Sequence, residues 1–185
     1  MGKIVALTYL SLDGVMENPA WTGPYFNSDH AKYAHGQLFA SDALLLGRIT
    51  YEGMAAAWPR MEESEGEFAV RMNTLPKHVV STTLEKAEWN ATVVRGDLTT
   101  EITKLRDQYA GDILIYASGD LTNSLIELGL VDELKLWIHP VVVGKGKRLF
   151  PEGVPTTAWT LAGTTSFGSG AVVLDLRPAG QETQE

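Results

Sequence analysis

Apolar runs typical of β-strands alternate with segments of helical periodicity over the first two thirds of the chain. The strand-like runs cover residues 4–9, 43–46, 78–81 and 113–116. The segments with apolar residues at every third or fourth position cover residues 29–40, 50–57, 98–109 and 121–128. Because parallel strands need a crossover between them, this alternation predicts a largely parallel sheet covered by helices on both faces.

The pattern changes after Gly129, where extended runs follow one another without a helix. They cover residues 133–143, 159–167 and 171–176, and Gly168-Ser169-Gly170 joins the last two. We therefore expect antiparallel strands at one edge of the sheet. The predicted fold class is α/β: a three-layer α/β/α sandwich with a mixed, mainly parallel sheet of about eight strands. No repeat or linker divides the chain, which predicts a single domain over residues 1–178 and a flexible C-terminal tail over residues 179–185.

The composition of the chain makes some classes of binding partner unfavourable. The 185 residues include 15 Lys and Arg against 23 Asp and Glu, a formal net charge of -8 that repels nucleic acids and anionic membrane surfaces. The absence of cysteine favours a cytoplasmic protein, and no apolar run is long enough to cross a membrane. The four histidines form neither an i, i+4 pair nor an HExxH motif, so we predict no metal.

Three predicted strands end in turns of small or hydroxylic residues. The turns are Gly47-Arg48-Ile49-Thr50, Ser81-Thr82-Thr83 and Ala117-Ser118-Gly119-Asp120-Leu121-Thr122. Ligands of open α/β sheets bind at the carboxyl ends of the strands, where helix N-termini and an arginine suit phosphate groups. Each turn is also compatible with an ordinary helix cap or polar turn, and Asp120 places a negative charge where a phosphate would bind.

Two loops carry further candidate residues. The first loop combines Asp13 and Gly14 with Trp21, and Tyr25 follows it, which is typical of a ligand-binding loop but equally of an aromatic plug over the core. Asp29 opens the next helix, either as a partner of the helix dipole or as an acid facing a cleft. The basic loop 144–148 is either a cover for phosphates or a solvated turn.

Several segments, taken in order, resemble the dihydrofolate reductase-like superfamily. The likeness is to the reductase domain at the C-terminal end of the riboflavin-biosynthesis deaminase-reductase and to its stand-alone bacterial relatives, and it covers residues 3–177. The segments that carry it are Ser11-Leu12-Asp13-Gly14, Leu45-Leu46-Gly47-Arg48-Ile49-Thr50-Tyr51-Glu52, Val79-Val80-Ser81-Thr82, Ile115-Tyr116-Ala117-Ser118-Gly119, Leu130-Val131-Asp132-Glu133-Leu134 and residues 140–150.

The resemblance implies an eight-stranded sheet with NADPH bound across the strand ends. Its cofactor-binding residues would be Gly47, Arg48 and Thr50 at the phosphates, Ser81, Thr82 and Thr83 at the adenosine ribose and its 2′-phosphate, Ser118, Gly119, Asp120, Leu121 and Thr122 at the pyrophosphate, and Ala6 and Tyr116 at the nicotinamide. On the substrate side would lie Leu7, Asp13, Trp21, Tyr25 and Tyr51, with Asp13 and Asp29 as candidate catalytic acids.

The leading hypothesis is an NADPH-dependent reductase that transfers a hydride to a small pteridine-like or pyrimidine-like substrate. The alternative is a non-catalytic nucleotide-binding protein that retains the fold. We also expect a homodimer, partly from the resemblance and partly because the C-terminal strands carry Trp137 and Trp159.

Overall fold

One eight-stranded sheet organises the computed structural model, which describes residues 1–180. Its strands are β1 (Ile4–Leu10), β2 (Ser41–Gly47), β3 (Lys77–Val80), β4 (Ala91–Val94), β5 (Asp112–Tyr116), β6 (Glu133–Ile138), β7 (Trp159–Ser166) and β8 (Val172–Pro178). Their spatial order is β4-β3-β2-β5-β1-β6-β8-β7. The six strands from β4 to β6 pair in parallel, and β8 runs antiparallel to both β6 and β7.

Within residues 1–180, six α-helices and two 3-10 segments connect the strands. The helices are α1 (Ser28–Phe39), α2 (Arg48–Ala57), α3 (Glu62–Glu65), α4 (Glu67–Thr74), α5 (Leu98–Gln108) and α6 (Gly119–Glu127), and the 3-10 segments are Pro19–Tyr25 and Trp58–Arg60. Side-chain caps fix two helix starts: Asn27 accepts from His30 N at 3.0 Å before α1, and Asp97 accepts from Thr100 N at 2.9 Å before α5.

The hydrophobic core lies on both faces of the sheet. On one face, α5 and α6 pack against Ile4, Ala6 and Ile115, whereas α1, α2 and α4 cover Val5 and Leu7 on the other. The alternation along β1 places successive side chains in different layers, as expected for a strand buried on both sides. The predicted three-layer α/β/α sandwich with a mixed, mainly parallel sheet is confirmed.

The C-terminal region differs in detail from the prediction. The strand predicted to reach residue 143 ends at Ile138 and runs parallel to β1. The chain leaves the sheet there because the loop after β1 binds it: Leu12 N donates to Val141 O at 2.8 Å, and the Asp13 carboxylate accepts from Val143 N. The predicted hairpin between β7 and β8 is present, with Gly170 at φ 92°.

Two elements, β4 and α4, were not predicted from the sequence pattern. Strand β4 is four residues long and mostly half-exposed at the sheet edge, so it is too short to show a clear strand pattern. Helix α4 buries only Ala69 and Met72, which is too few positions to produce a clear helical period. Among residues 1–180 no helix is long and apolar enough to cross a membrane. Residues 181–185 of the predicted flexible tail lie outside the described residues.

We predict that Leu45→Ala lowers the free energy of unfolding by about 3 kcal/mol, because Leu45 on the central strand β2 is fully buried and the truncation leaves a cavity. The matched Leu128→Ala, at a side chain that is 49% exposed, should change it by less than about 0.5 kcal/mol. Urea denaturation measures both, and equal losses would contradict this assignment of the core.

Candidate functional site

A cleft of about 640 Å³ opens at the carboxyl ends of β2 and β5. It is lined by seven residues that the sequence predicts as cofactor-binding: Gly47, Arg48, Thr50, Ser118, Gly119, Asp120 and Leu121. The two turns are 71 residues apart in sequence, and the pairing of β2 with β5 brings them together. The cleft therefore lies where ligands bind in open α/β sheets.

Ser118 joins the two turns directly. Its hydroxyl accepts from Gly47 N at 3.0 Å and donates to Tyr116 O at 3.0 Å, and its own N–H donates to Thr50 Oγ1 at 3.2 Å. Ala117 and Ser118 both adopt left-handed backbone conformations, at φ 48° and 47°, which are unusual for residues other than glycine. Such strain clusters at ligand-binding sites because the surrounding contacts must hold it.

Both helices that begin at the cleft lack a side-chain cap within the described part of the chain. These are α2 after Gly47 and α6 after Ser118. The first N–H groups of a helix have no partner inside the helix and favour an anion. Arg48 adds a cation at the mouth of the cleft, where it forms an exposed ion pair with Glu52 at 3.0 Å. The arrangement can bind phosphate groups.

The opposite wall of the cleft comes from the loop after β1 and from the basic loop 144–148, both of which the sequence offered as candidate ligand-binding loops. Met16 packs so tightly on Gly119 that a Cβ atom at position 119 would lie 2.7 Å from its sulfur. Lys147 reaches across to Asp120 at 2.8 Å, and its backbone N–H donates to the Glu17 carboxylate at 3.0 Å. The basic residues of loop 144–148 were the feature of the sequence that indicated its place at the cleft. Also at the cleft are Asn18, Pro19, Ile49, Val80, Leu98, Ala117 and Ser124.

Asp13 connects two loops from distant parts of the chain. Its carboxylate accepts hydrogen bonds from the Ser11 hydroxyl at 2.7 Å, from Val143 N at 3.0 Å and from Gly144 N at 2.8 Å. These bonds, led by the one from Ser11, hold the pKa of Asp13 well below its usual range. The carboxylate is therefore ionised and positions the loops, so it does not suit the role of proton donor.

Several other predicted site residues lie away from the cleft surface. Thr82 and Thr83 are exposed, and the Ser81 hydroxyl accepts from Thr83 N and Leu84 N within its own turn. Thr122 is fully buried in α6. Ala6 and Leu7 are buried on opposite faces of β1.

Tyr51 differs from its expected position, and Asp29 takes the first of its two expected roles. Tyr51 is buried, and its hydroxyl bonds to the backbone of Glu88, so it does not face a substrate cleft. Asp29 is exposed in the first turn of α1, where the helix dipole accounts for it. The neighbouring side chain, His30, points inward and is fully buried.

His30 belongs to an aromatic cluster on the α1 side of the sheet. We define the His30 cluster as Tyr9, Phe26, His30, Tyr116, Trp137 and His139. The His30 ring lies 4.3 Å from the rings of Phe26 and Trp137, 5.7 Å from that of Tyr9 and 5.7 Å from that of His139. At the carboxyl ends of the strands, Tyr9 pairs in register with Trp137 on β6, and Tyr116 on β5 pairs with Leu7, two residues before Tyr9.

The 3-10 segment Pro19–Tyr25 covers this cluster. Trp21 packs its ring 5.5 Å from that of His139, and Tyr25 packs at 5.9 Å and donates to Pro140 O at 3.3 Å. Trp21 also lines a smaller cavity of about 270 Å³ with Glu17 and Lys145. Trp21 and Tyr25 therefore lie beside the His30 cluster as half-buried covering residues.

The His30 cluster contains buried polar atoms without hydrogen-bond partners. Within residues 1–180 these are both ring nitrogens of His30, Trp137 Nε1, His139 Nε2 and the Tyr116 hydroxyl. Each such atom costs about 1–3 kcal/mol when it is left unpaired. Burial lowers the pKa of His30 to about 4 and raises that of Tyr9 to about 12, so the cluster is uncharged near neutral pH.

The fold belongs to the dihydrofolate reductase-like class. A Shewanella sp. protein assigned to riboflavin biosynthesis matches with a TM-score of 0.77 and 19% identity over 95% of this chain and 98% of that chain. Enterococcus faecalis dihydrofolate reductase, solved with NADP(H) and RAB-propyl, matches with a TM-score of 0.66 and 18% identity over 96% of this chain and 97% of that chain. At these identities the likeness establishes the fold.

The chain is a member of the RibD C-terminal domain family, whose model matches residues 3–173. The Bacillus subtilis protein YyaP, of uncharacterised function, is 32% identical over 133 residues, or 71% of each chain. The superfamily resemblance predicted from the sequence is therefore confirmed, and the family supports a reductase-type domain.

We predict that the free energy of unfolding falls by about 3 kcal/mol from pH 7 to pH 4 because of His30. Its pKa is lowered from 6.5 to about 4 by burial, so below pH 6.5 the unfolded chain binds a proton that the folded chain does not. Urea denaturation across this range should show a shallower slope in His30→Phe and an unchanged slope in the control His35→Gln. Equal slopes in all three proteins would refute the assignment.

Proposed function

We propose that this protein is an NADPH-dependent reductase that transfers a hydride to a small ring compound. The observation that carries the proposal is the convergence of two uncapped helix N-termini, at Gly47 and Ser118, on one cleft at the strand ends. Membership of the RibD C-terminal domain family supports it. So does the same fold in a dihydrofolate reductase solved with NADP(H).

The residues at the cleft fit a dinucleotide phosphate. Uncapped N–H groups of α2 and α6 would bind the pyrophosphate, and Arg48 would exchange its exposed Glu52 partner for a phosphate oxygen. Lys147 would offset the negative charge of Asp120, with which it pairs. The pair is exposed and therefore weak, so Lys147 is free to move toward a bound phosphate.

The His30 cluster would receive the substrate beside the nicotinamide end of this cleft. When bound, NADPH would supply a hydride to the substrate ring. Completing the reduction of the ring requires one further proton. Burial raises the pKa of Tyr116, so its phenol stays protonated and donates a hydrogen bond at neutral pH. Trp21 and Tyr25 would exclude bulk water from the substrate.

A second candidate function is a non-catalytic nucleotide-binding protein. Its support is the state of the two candidate acids, because Asp13 is held ionised and Asp29 points to solvent. Saturable NADPH binding without NADPH oxidation across pteridine, pyrimidine and quinone substrates would favour this candidate over the reductase.

We predict that Arg48→Ala weakens NADPH binding five- to tenfold relative to the wild type, and that Asp120→Asn strengthens it a few-fold. The physical reason is the negative charge of the phosphates, which the Arg48 guanidinium attracts and the Asp120 carboxylate repels. Tryptophan quenching measures all three affinities. Arg60→Ala, outside the cleft, is the control, and identical affinities for all variants would refute this cofactor site.

We also propose that the protein is a homodimer joined through β7. This eight-residue edge strand lies in a stretch, residues 153–174, without a charged side chain, and Leu161 on it is 56% exposed. Edges without charges favour pairing with another strand, and a second copy of β7 is self-complementary in antiparallel pairing. Trp159 on β7 lines an apolar groove of about 310 Å³. Trp137 is fully buried and therefore cannot contribute to a dimer interface.

We predict a dimer by light scattering for the wild type and a monomer for Leu161→Lys, because the lysine places a charge in the paired edge. Lys145→Gln, in a loop remote from β7, should remain dimeric. A wild-type monomer at micromolar concentration would contradict the proposal.

A further inference from the structure

The side chain of Met16 joins the loop after β1 to the first residue of α6. Its sulfur lies so close to Gly119 that a Cβ atom at position 119 would be 2.7 Å from Sδ and 3.3 Å from Cε. This contact leaves no free space between the thioether and the backbone at the start of α6. Met16 also packs against the hydrophobic core on the α6 side of the sheet. The side chain therefore belongs both to the core and to the wall of the cleft.

The backbone around Met16 is paired with the basic loop 144–148. Met16 N donates to Lys147 O at 2.8 Å, and Val15 forms an antiparallel bridge with Arg148. The two loops therefore form one unit. This unit contacts the start of α6 through the Met16 sulfur and through the ion pair of Lys147 with Asp120. Because that ion pair is exposed and weak, the Met16 contact is the stronger of the two in fixing the unit over α6.

A methionine sulfur at this position is open to oxidation. The chain has five methionines and no cysteine, so reversible oxidation of a sulfur in this protein has to occur at methionine. Met72 is 1% exposed and protected in the core, whereas Met16 is half-buried and lines the open cleft of about 640 Å³. A small hydroperoxide can therefore reach the Met16 side chain from the cleft.

Oxidation of Met16 would change both the size and the polarity of its contact with α6. A sulfoxide is polar, whereas the thioether is apolar. The added oxygen has no room on the side of Gly119, and toward the core it would be buried without a partner. The remaining direction is the cleft, where no side chain of residues 1–180 caps the first N–H groups of α6. Since a thioether sulfur is only a weak acceptor, the sulfoxide oxygen would compete for these N–H groups with a phosphate oxygen.

We propose that Met16 is an oxidation site that controls the access of a nucleotide phosphate to the cleft. The oxidant is a hydroperoxide: its O–O bond breaks, one oxygen bonds to Sδ, the sulfur is oxidised by two electrons, and the peroxide is reduced to water or an alcohol. A methionine sulfoxide reductase reverses the step, since two thiols supply the electrons, form a disulfide and release the oxygen as water. With NADPH as the nucleotide, the inference rests on the proposed reductase function.

The test measures the affinity for NADPH before and after peroxide treatment. The full chain is treated with hydrogen peroxide until peptide mass mapping shows that Met16 is oxidised and that the tryptophans are intact, and NADPH is then titrated by tryptophan quenching. We expect oxidation to weaken NADPH binding by about tenfold or more. Treatment with methionine sulfoxide reductases for both sulfoxide epimers, together with a thiol reductant, should restore the original affinity.

Variants separate Met16 from the other methionines. Met16→Leu keeps an apolar side chain of similar volume without the sulfur, so its own NADPH affinity should be the same before and after peroxide. The matched control Met61→Leu replaces a half-buried methionine next to α3, outside the cleft, and should lose affinity on oxidation as the wild type does. Met16→Gln places a polar group at the same position and should weaken NADPH binding without any oxidant.

The outcomes separate this inference from the function on which it rests. Unchanged NADPH affinity with Met16 oxidised, or an equal loss of affinity in Met16→Leu, would overturn the inference even if the protein is a reductase. Resistance of Met16 to peroxide that oxidises the half-buried Met54 and Met61 would also overturn it. If the untreated protein binds no NADPH, the reductase function fails, and inorganic pyrophosphate becomes the probe in calorimetry. Weaker pyrophosphate binding after oxidation of Met16 would then support the inference, and unchanged or absent binding would overturn it.

Discussion

The candidate site depends on the hydrogen bonds of one side chain, that of Ser118. Its hydroxyl and N–H connect the end of β5 to Gly47 and Thr50 at the end of β2, so two helices begin at a fixed separation. The left-handed backbone at Ala117 and Ser118, which is unusual for residues other than glycine, lies between these bonds and the start of α6. The first residues of α2 and α6 at the cleft, including Arg48 and Asp120, follow directly from these two joined strand ends.

Much of the fold and one half of the site could be predicted from the sequence. Strands such as β1 and β5 are buried on both faces, so their apolar runs are unmistakable, and the turns after β2 and β5 follow from them. Tyr51 was assigned to the wrong surroundings, and the choice between the two roles of Asp29 stayed open, because loop positions do not fix the rotational phase of the next helix. In α1 a one-residue difference in phase exchanges exposed Asp29 for buried His30.

The sequence indicated both loops as candidates, but the contacts that bring their residues to the cleft could not be predicted, for a different reason. Lys147 and Met16 reach the cleft through contacts between loops about 130 residues apart, such as that between Lys147 N and Glu17, and no local pattern encodes such pairings. The His30 cluster is similar, since its members come from three strands, a helix and two loops. Its polar atoms lower stability in the unliganded protein, which sequence patterns of apolar burial do not register.

The bonds of Asp13 to Val143 and Gly144 also bear on how the protein folds. They join residues about 130 positions apart, and they cannot form until β6 lies beside β1. Closing a loop of that length costs chain entropy that only the completed sheet offsets, so this wall of the cleft is a late step in folding. A ribosome-bound chain that ends before residue 143 lacks Lys147 and both backbone partners of Asp13, so the cleft is completed only near the end of synthesis.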